Sequence, residues 1–151
     1  MDAIQFLKQE HEKARAAFER VLQAPPTQRG LLWEELKPEL EAHEKIEDAC
    51  LYQPLSFDAG PQNAMLAGWW QEHQDEMRKV EGLIRAIAGL SPEDARWLSK
   101  IHEIHSSLED HIREEEEDIF PRISNVWDDR RLWQAGTQME EMKSKKTPRV
   151  P

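Results

Sequence analysis

The chain has 151 residues, 38% hydrophobic and 33% charged, with one cysteine and a formal charge of -10 from 30 acidic and 20 basic residues. That size fits one domain with one core, and the lone Cys50 excludes an intramolecular disulfide framework and the usual thiolate zinc sites. The acidic excess excludes a nucleic-acid partner, since the only basic cluster, KSKKTPR, lies in the tail.

Tracts of Glu, Lys, Ala, Leu, Gln and Arg with few glycines favour amphipathic helices, so the fold class expected is all-α. The first residues, MDAIQFLKQEHEKARAAF, hold neither a signal-peptide apolar block nor a membrane span, and a cytoplasmic protein without membrane contact is expected. Ile4, Leu7, Ala14, Phe18 and Val21 recur at intervals of three and four once position 11 is included. This predicts a helix over about 2–23 with His11 on its apolar face. APPTQRG reads as the first loop. The next stripe, Leu32, Leu36, Leu40, His43, Glu47 and Cys50, predicts a helix over about 29–53 that ends near QPLSFDAGP. Pro38 inside it implies a kink, or a short turn before a helix that starts at Lys37.

A third stripe, Leu66, Trp69, His73, Met77, Val80, Ile84 and Ile87, predicts a helix over about 62–88, stopping at Gly89. At least one of Trp69 and Trp70 belongs to the core. SPED then reads as a capping box with Ser91 as N-cap and Pro92 at the first helical position. It opens a fourth helix carrying Leu98, Ile101, Ile104, Leu108, His111 or Ile112, Glu115 and Ile119 until Pro121. Trp127 and Trp133 mark a short packed segment before a mobile end. These elements describe an up-down-up-down antiparallel four-helix bundle over residues 1–123, with a C-terminal extension over 124–151.

An internal repeat orders the polar residues on these faces. HEKIEDACLY (His43 to Tyr52) and HIREEEEDIF (His111 to Phe120) share His first, Glu fifth, and Leu-Tyr or Ile-Phe last. The chain therefore reads as two helix hairpins related by a pseudo-two-fold. Each helix places one histidine on its apolar face, and Glu47 and Glu115 follow theirs by four residues, about 40° round the same face. Singly, such a histidine reads as core and such a glutamate as solvated. Jointly they point to a metal, because unpaired buried carboxylates are costly and four imidazoles with two carboxylates suit iron, manganese or zinc. Within EEEE, Glu115 turns inward while Glu114, Glu116 and Glu117 face water, Glu116 remaining a substitute ligand.

The pattern resembles the hemerythrin-like, or HHE cation-binding, domains over nearly the whole chain to about residue 123. His11, the HEKIE motif from His43 to Glu47, His73, and the HIREE motif from His111 to Glu115 carry the resemblance. It implies two non-haem irons, oxo- or hydroxo-bridged, with Glu47 and Glu115 as bridges and His11, His43, His73 and His111 as terminal ligands. It also implies that Leu108 and Ile112 line a gas-binding pocket. The chain departs from oxygen-carrying members at Met77, where they have a second histidine. Two six-coordinate irons then keep two open positions instead of one, unless Glu44, which resembles an extra carboxylate ligand of iron-sensing members, fills one. An anionic ligand there favours ferric iron and disfavours reversible dioxygen carriage.

The expected function is a diiron-binding protein that takes dioxygen, nitric oxide or peroxide at an open position, in gas or iron sensing, storage or detoxification. The alternative is a diiron enzyme with peroxidase, oxidase or nitric oxide reductase activity. Among the remaining residues, His102 and His105 lie off the stripe and are expected to be exposed, and HEIH lacks the spacing of zinc proteases. Glu76 reads as a boundary residue or spare ligand. Cys50 reads as core filling with a thiol near enough to respond to oxidants, and Tyr52 as a packing residue or a local redox group.

Overall fold

The structure, a computed structural model, describes residues 1–59 and 64–146. Helix α1 (Ala3–Gln23) opens on a capping box legible in DAIQ. The Asp2 carboxylate accepts from the Gln5 backbone N–H at 2.9 Å, and the Gln5 side chain accepts from the Asp2 N–H at 3.1 Å. Helix α2 (Pro26–Glu47) starts earlier than position 29, leaving only Ala24 and Pro25 as a connection. Pro26 explains the difference, since at the first helical position its missing N–H would have had no partner anyway. The helix runs through Pro38 rather than starting at Lys37.

A π-helical turn (Asp48–Tyr52) and α3 (Gln53–Ala59) prolong this path beyond the expected end at 53, and buried Leu55 anchors the extra turns. Helix α4 (Ala64–Ala88) is the third one expected; its predicted start at 62 lies outside the described residues. Helix α5 (Ala95–Glu114) begins behind Asp94, not Ser91: the Asp94 carboxylate accepts from the Arg96 N–H at 2.9 Å. A charged acceptor at the positive end of a helix is the stronger cap, and Ser91 to Asp94 form a turn instead. A second π-helical turn (Glu115–Ile119) leads into α6 (Phe120–Ile123), whose first turn accommodates Pro121.

The C-terminal segment departs most from expectation. Helix α7 (Asp129–Lys146) lies against α1 and α2 and buries Leu132, Ala135 and Met139, so it is far longer than a short packed segment. Trp133, next to Leu132 and off that face, is 57% exposed, whereas Trp127 is buried. The last residues of the expected mobile end, 147–151, lie outside the described residues. Among the described residues the fold is all-α with five long helices where four were expected, and no helix is long and apolar enough to cross a membrane.

Two apolar clusters build the interior. One gathers Phe6, Leu7, Ile46, Leu51, Trp69, Phe120 and Met139; the other gathers Phe18, Val21, Trp33, Leu36, Trp97 and Ile104. On α1, α2 and α4, and along α5 with the π-turn and α6 that continue it, polar positions separate the residues of one cluster from those of the other. The buried polar side chains among the described residues, His11, Glu47, His73, His111 and Glu115, all belong to that intervening layer.

Candidate metal centre

Each histidine of the layer meets a carboxylate. His43 Nε2 lies 2.6 Å from Glu47 Oε2, and His111 Nε2 lies 3.3 Å from Glu47 Oε1 and 3.0 Å from Glu115 Oε1. His11 Nε2 lies 3.1 Å from the same Glu115 oxygen, and His73 Nε2 lies 2.9 Å from Glu44 Oε2. Two donor groups result, His11–His43–Glu47–Glu115 and Glu47–His73–His111, with the donor atoms of each within 4.8 Å of one another. Glu47 belongs to both.

The residues fit a pair of cations on an independent ground. Both Glu47 oxygens, Glu44 Oε2, His73 Nε2 and His111 Nε2 are buried without a hydrogen-bond partner, although nitrogen and oxygen neighbours stand at 2.6–3.3 Å. Lone pairs that converge without hydrogen-bond alignment are arranged for a common positive centre. Left alone, each such group would cost about 1–3 kcal/mol.

The two π-helical turns explain why the repeat ends in aromatics. In a straight α-helix residue i+5 lies about 140° round from i, but a π-turn closes i to i+5 and returns it toward the same face. Tyr52 and Phe120, five residues after Glu47 and Glu115, thereby return to the polar layer. The Tyr52 ring stacks on His73 at 4.5 Å between centroids, and Phe120 stacks on His11 at 5.9 Å. Tyr52 does more than pack: its buried hydroxyl donates to Glu115 Oε2 at 2.7 Å. The reading of Tyr52 as the packing counterpart of Phe120 missed this bond, although the His-x-x-x-Glu-x-x-x-x-aromatic spacing, seen twice, is the sequence trace of it.

Burial and charge pull the titrations apart. Burial lowers the pKa of His11 to about 3, the opposing pull of Glu47 being too weak to restore it, so that ring is neutral. Burial also opposes charge on His43 and His111, yet Glu47 outweighs it and both pKa values rise, His111's well above the ordinary range. His73 is raised against burial by Glu44 and Glu47. Glu47 itself is held well below the usual carboxylate range, since His43 and His111 overcome the effect of burial. Burial, reinforced by Glu47 and Glu44, keeps the Tyr52 phenol protonated far above its usual value.

Glu44, partly exposed, touches the layer only through His73. Glu116 and Glu76 are not in either donor group. Glu116 Oε2 stands 3.5 Å from His11 Nδ1, and Glu76 Oε2 stands 3.5 Å from His111 Nδ1, in each case the ring nitrogen opposite the one that faces the layer. Arg15 approaches Glu116 from outside at 3.9 Å. Ile112 is fully buried, and half-buried Leu108 lines two cavities that reach the layer. His102 is exposed as expected, but His105 is half-buried against Phe18, with ring centroids 5.2 Å apart. Cys50 is core, its Sγ 3.3 Å from Met142 Sδ, and so is Trp69.

Comparison with known proteins places this geometry. The family profile described as Hemerythrin HHE cation binding domain matches residues 2–123. A "DNA nickase" of Nostoc sp. (strain PCC 7120) is 24% identical over 140 residues, covering 92% of this chain but only 38% of that protein's length. "Uncharacterized protein Rv2633c" of Mycobacterium tuberculosis is 28% identical over 128 residues, covering 83% of this chain and 74% of that one. Among solved structures, a Hemerythrin HHE cation binding domain-containing protein, the Rv2633c homolog from Mycobacterium kansasii, superposes with a TM-score of 0.77 at 25% identity, over 97% of this chain and 88% of that one.

Proposed function

We propose a function from one premise: this chain belongs to the family of hemerythrin HHE cation-binding domains. It binds two non-haem iron ions and takes dioxygen, nitric oxide or peroxide at an open position, in gas or iron sensing, storage or detoxification. The observation that carries this reading is Glu47, fully buried, with both carboxylate oxygens lacking an aligned hydrogen bond, and common to two histidine-bearing groups. His11 and His43 would hold one ion, His73 and His111 the other, with Glu47 and Glu115 between them and Glu44 in reach of the second group beside His73. When bound, the iron pair supplies one-electron redox steps and a vacant place for a small ligand.

The chain sets the rest. Glu76 stands at the outward Nδ1 of His111, where a carboxylate fixes the tautomer with Nε2 inward and raises ring basicity, whereas Glu116 stands 3.5 Å from the outward Nδ1 of His11 without a hydrogen bond to it. Tyr52 donates to Glu115 and so orients that carboxylate. Leu108 and Ile112 flank His111, Ile112 fully buried and lining neither cavity, Leu108 on the wall of both. The nicking activity in the Nostoc protein's name belongs to a much longer chain, and a charge of -10 here opposes a duplex partner. Protein from iron-replete cells should hold about two irons per chain, one for each donor group, with near-ultraviolet absorption that changes on addition of nitric oxide to the reduced form. Well under one iron per chain, or zinc alone, would end the proposal.

The pKa directions give a signed pH test on the metal-free chain. His43, His73 and His111 are raised, so their pairing with carboxylates stabilises the fold fully below the ordinary histidine value of about 6.5 and is lost as pH rises through the raised values. His11, lowered to about 3, acts oppositely, its contribution being present above about 6.5 and lost as pH falls toward 3. As pH rises above the ordinary histidine value of about 6.5, the metal-free protein should therefore lose melting temperature. The loaded protein, whose imidazoles are already neutral, should not. Equal losses in both forms, measured by calorimetry, would contradict the assignment.

A further inference from the structure

Two cavities reach the polar layer from different sides, and they share a wall of Leu40, Glu44 and Leu108. The narrower, about 290 Å³, touches His11 and His43; the wider, about 520 Å³, touches His111. Each therefore approaches a different donor group. A diatomic gas or a peroxide needs a small fraction of either volume. A dry apolar cavity of about 150 Å³ holds a benzene molecule, and organic ligands occupy pockets of about 300–1,000 Å³.

We propose that the wider cavity is a binding site for a neutral two-ring hydroxy-aromatic molecule, separate from the route by which a small ligand arrives. Its walls are aliphatic, from Leu40, Val80, Ile84, Ile104 and Leu108, with the Met77 thioether among them. Thioethers make favourable contacts with ring edges. The departure from the histidine of oxygen carriers at position 77 thus places an aromatic-compatible group on the wall. Carboxylates, which only accept, are prominent among its polar groups. The Glu76 carboxylate stands beside His111, and the carboxylates of Glu41, Glu81 and Asp110 line the same cavity. A hydroxyl supplies the donor they call for, and a carbonyl or ether oxygen does not. Charge selects against an anion, because Glu41, Glu44, Glu76, Glu81 and Asp110 line the cavity against Lys45, Lys79 and Arg85. The role of the bound molecule at the metal rests on the function proposed above; its binding does not.

The test titrates 2-naphthol, neutral at pH 7, into the iron-loaded protein and follows the fluorescence of the probe, with iron content measured on the same samples. Saturable binding is expected. Ser107→Trp on α5, and independently Val80→Trp on α4, each fill the cavity and should weaken binding about tenfold or more while leaving iron content intact. The anion 2-naphthoate, which has the same two-ring frame, should bind about tenfold more weakly. Absence of saturation, binding that survives both substitutions, or naphthoate binding as tightly as naphthol would overturn the assignment. Naphthol binding that persists in protein holding little iron would sink the metal centre and still support the cavity site.

Discussion

Replacing Glu47 by Gln should empty both metal groups in one step. The amide keeps the shape of the side chain but removes the carboxylate that belongs both to the donor group of His11 and His43 and to that of His73 and His111. Loss of an outer partner of a ligand costs about 10–100-fold in metal affinity, and loss of a shared inner one must cost more. Iron content is expected to fall from about two per chain to well under one, rather than to the single ion that two independent sites would retain. The fold should survive, because the imidazoles raised by Glu47 can shed their protons once its charge is gone. Metal analysis beside circular dichroism separates this outcome from unfolding. Retention of one firmly bound ion would show that Glu47 serves a single group.

Deleting α7 should be nearly as damaging, through packing instead of chemistry. Truncation before Asp129 removes Leu132 and Met139 from the core and uncovers Ala3, Phe6 and Leu7 of the same cluster. Two buried side chains of this size contribute roughly 3–6 kcal/mol, a large share of the about 5–15 kcal/mol that stabilises an ordinary domain. Ion pairs of Lys143 with Glu10 and Glu39, and of the Met1 amino group with Glu140, would go as well. Gly136→Val gives a subtler version. A Cβ at this position would collide with the backbone carbonyl of Met1, so overpacking should cost about 1–3 kcal/mol without shortening the chain. Chemical denaturation of both variants measures the losses; a truncated chain as stable as the parent would show that α7 is not part of the fold.

The polar layer was legible in the sequence because a 3.6-residue rhythm leaves little freedom. Once Leu7 and Phe18 define a face, His11 must lie on it, and the same holds for His73 between Trp69 and Val80. All six residues of the expected inner set, His11, His43, Glu47, His73, His111 and Glu115, do converge. Departures from that rhythm were not legible. The π-helical turns after Glu47 and at Glu115 shift the register by one residue, so Tyr52 was weighed on a straight helix where it could not reach Glu115. Single-residue contests decided the helix ends: Pro26 starts α2 where two adjacent prolines look like a loop, and Asp94 displaces Ser91 as the cap of α5. Helix α7 was obscured by its weak pattern, in which Trp133 faces solvent and Ala135 and Gly136 supply the close approach to α1.

Central to the account is one carboxylate serving two cations. Crystals of the iron-loaded protein, measured at wavelengths on either side of the iron absorption edge, test it most directly. The account predicts two anomalous peaks in the layer between His11 and His111, each within bonding distance of a different Glu47 oxygen. A single peak, or two peaks of which only one touches Glu47, would contradict it.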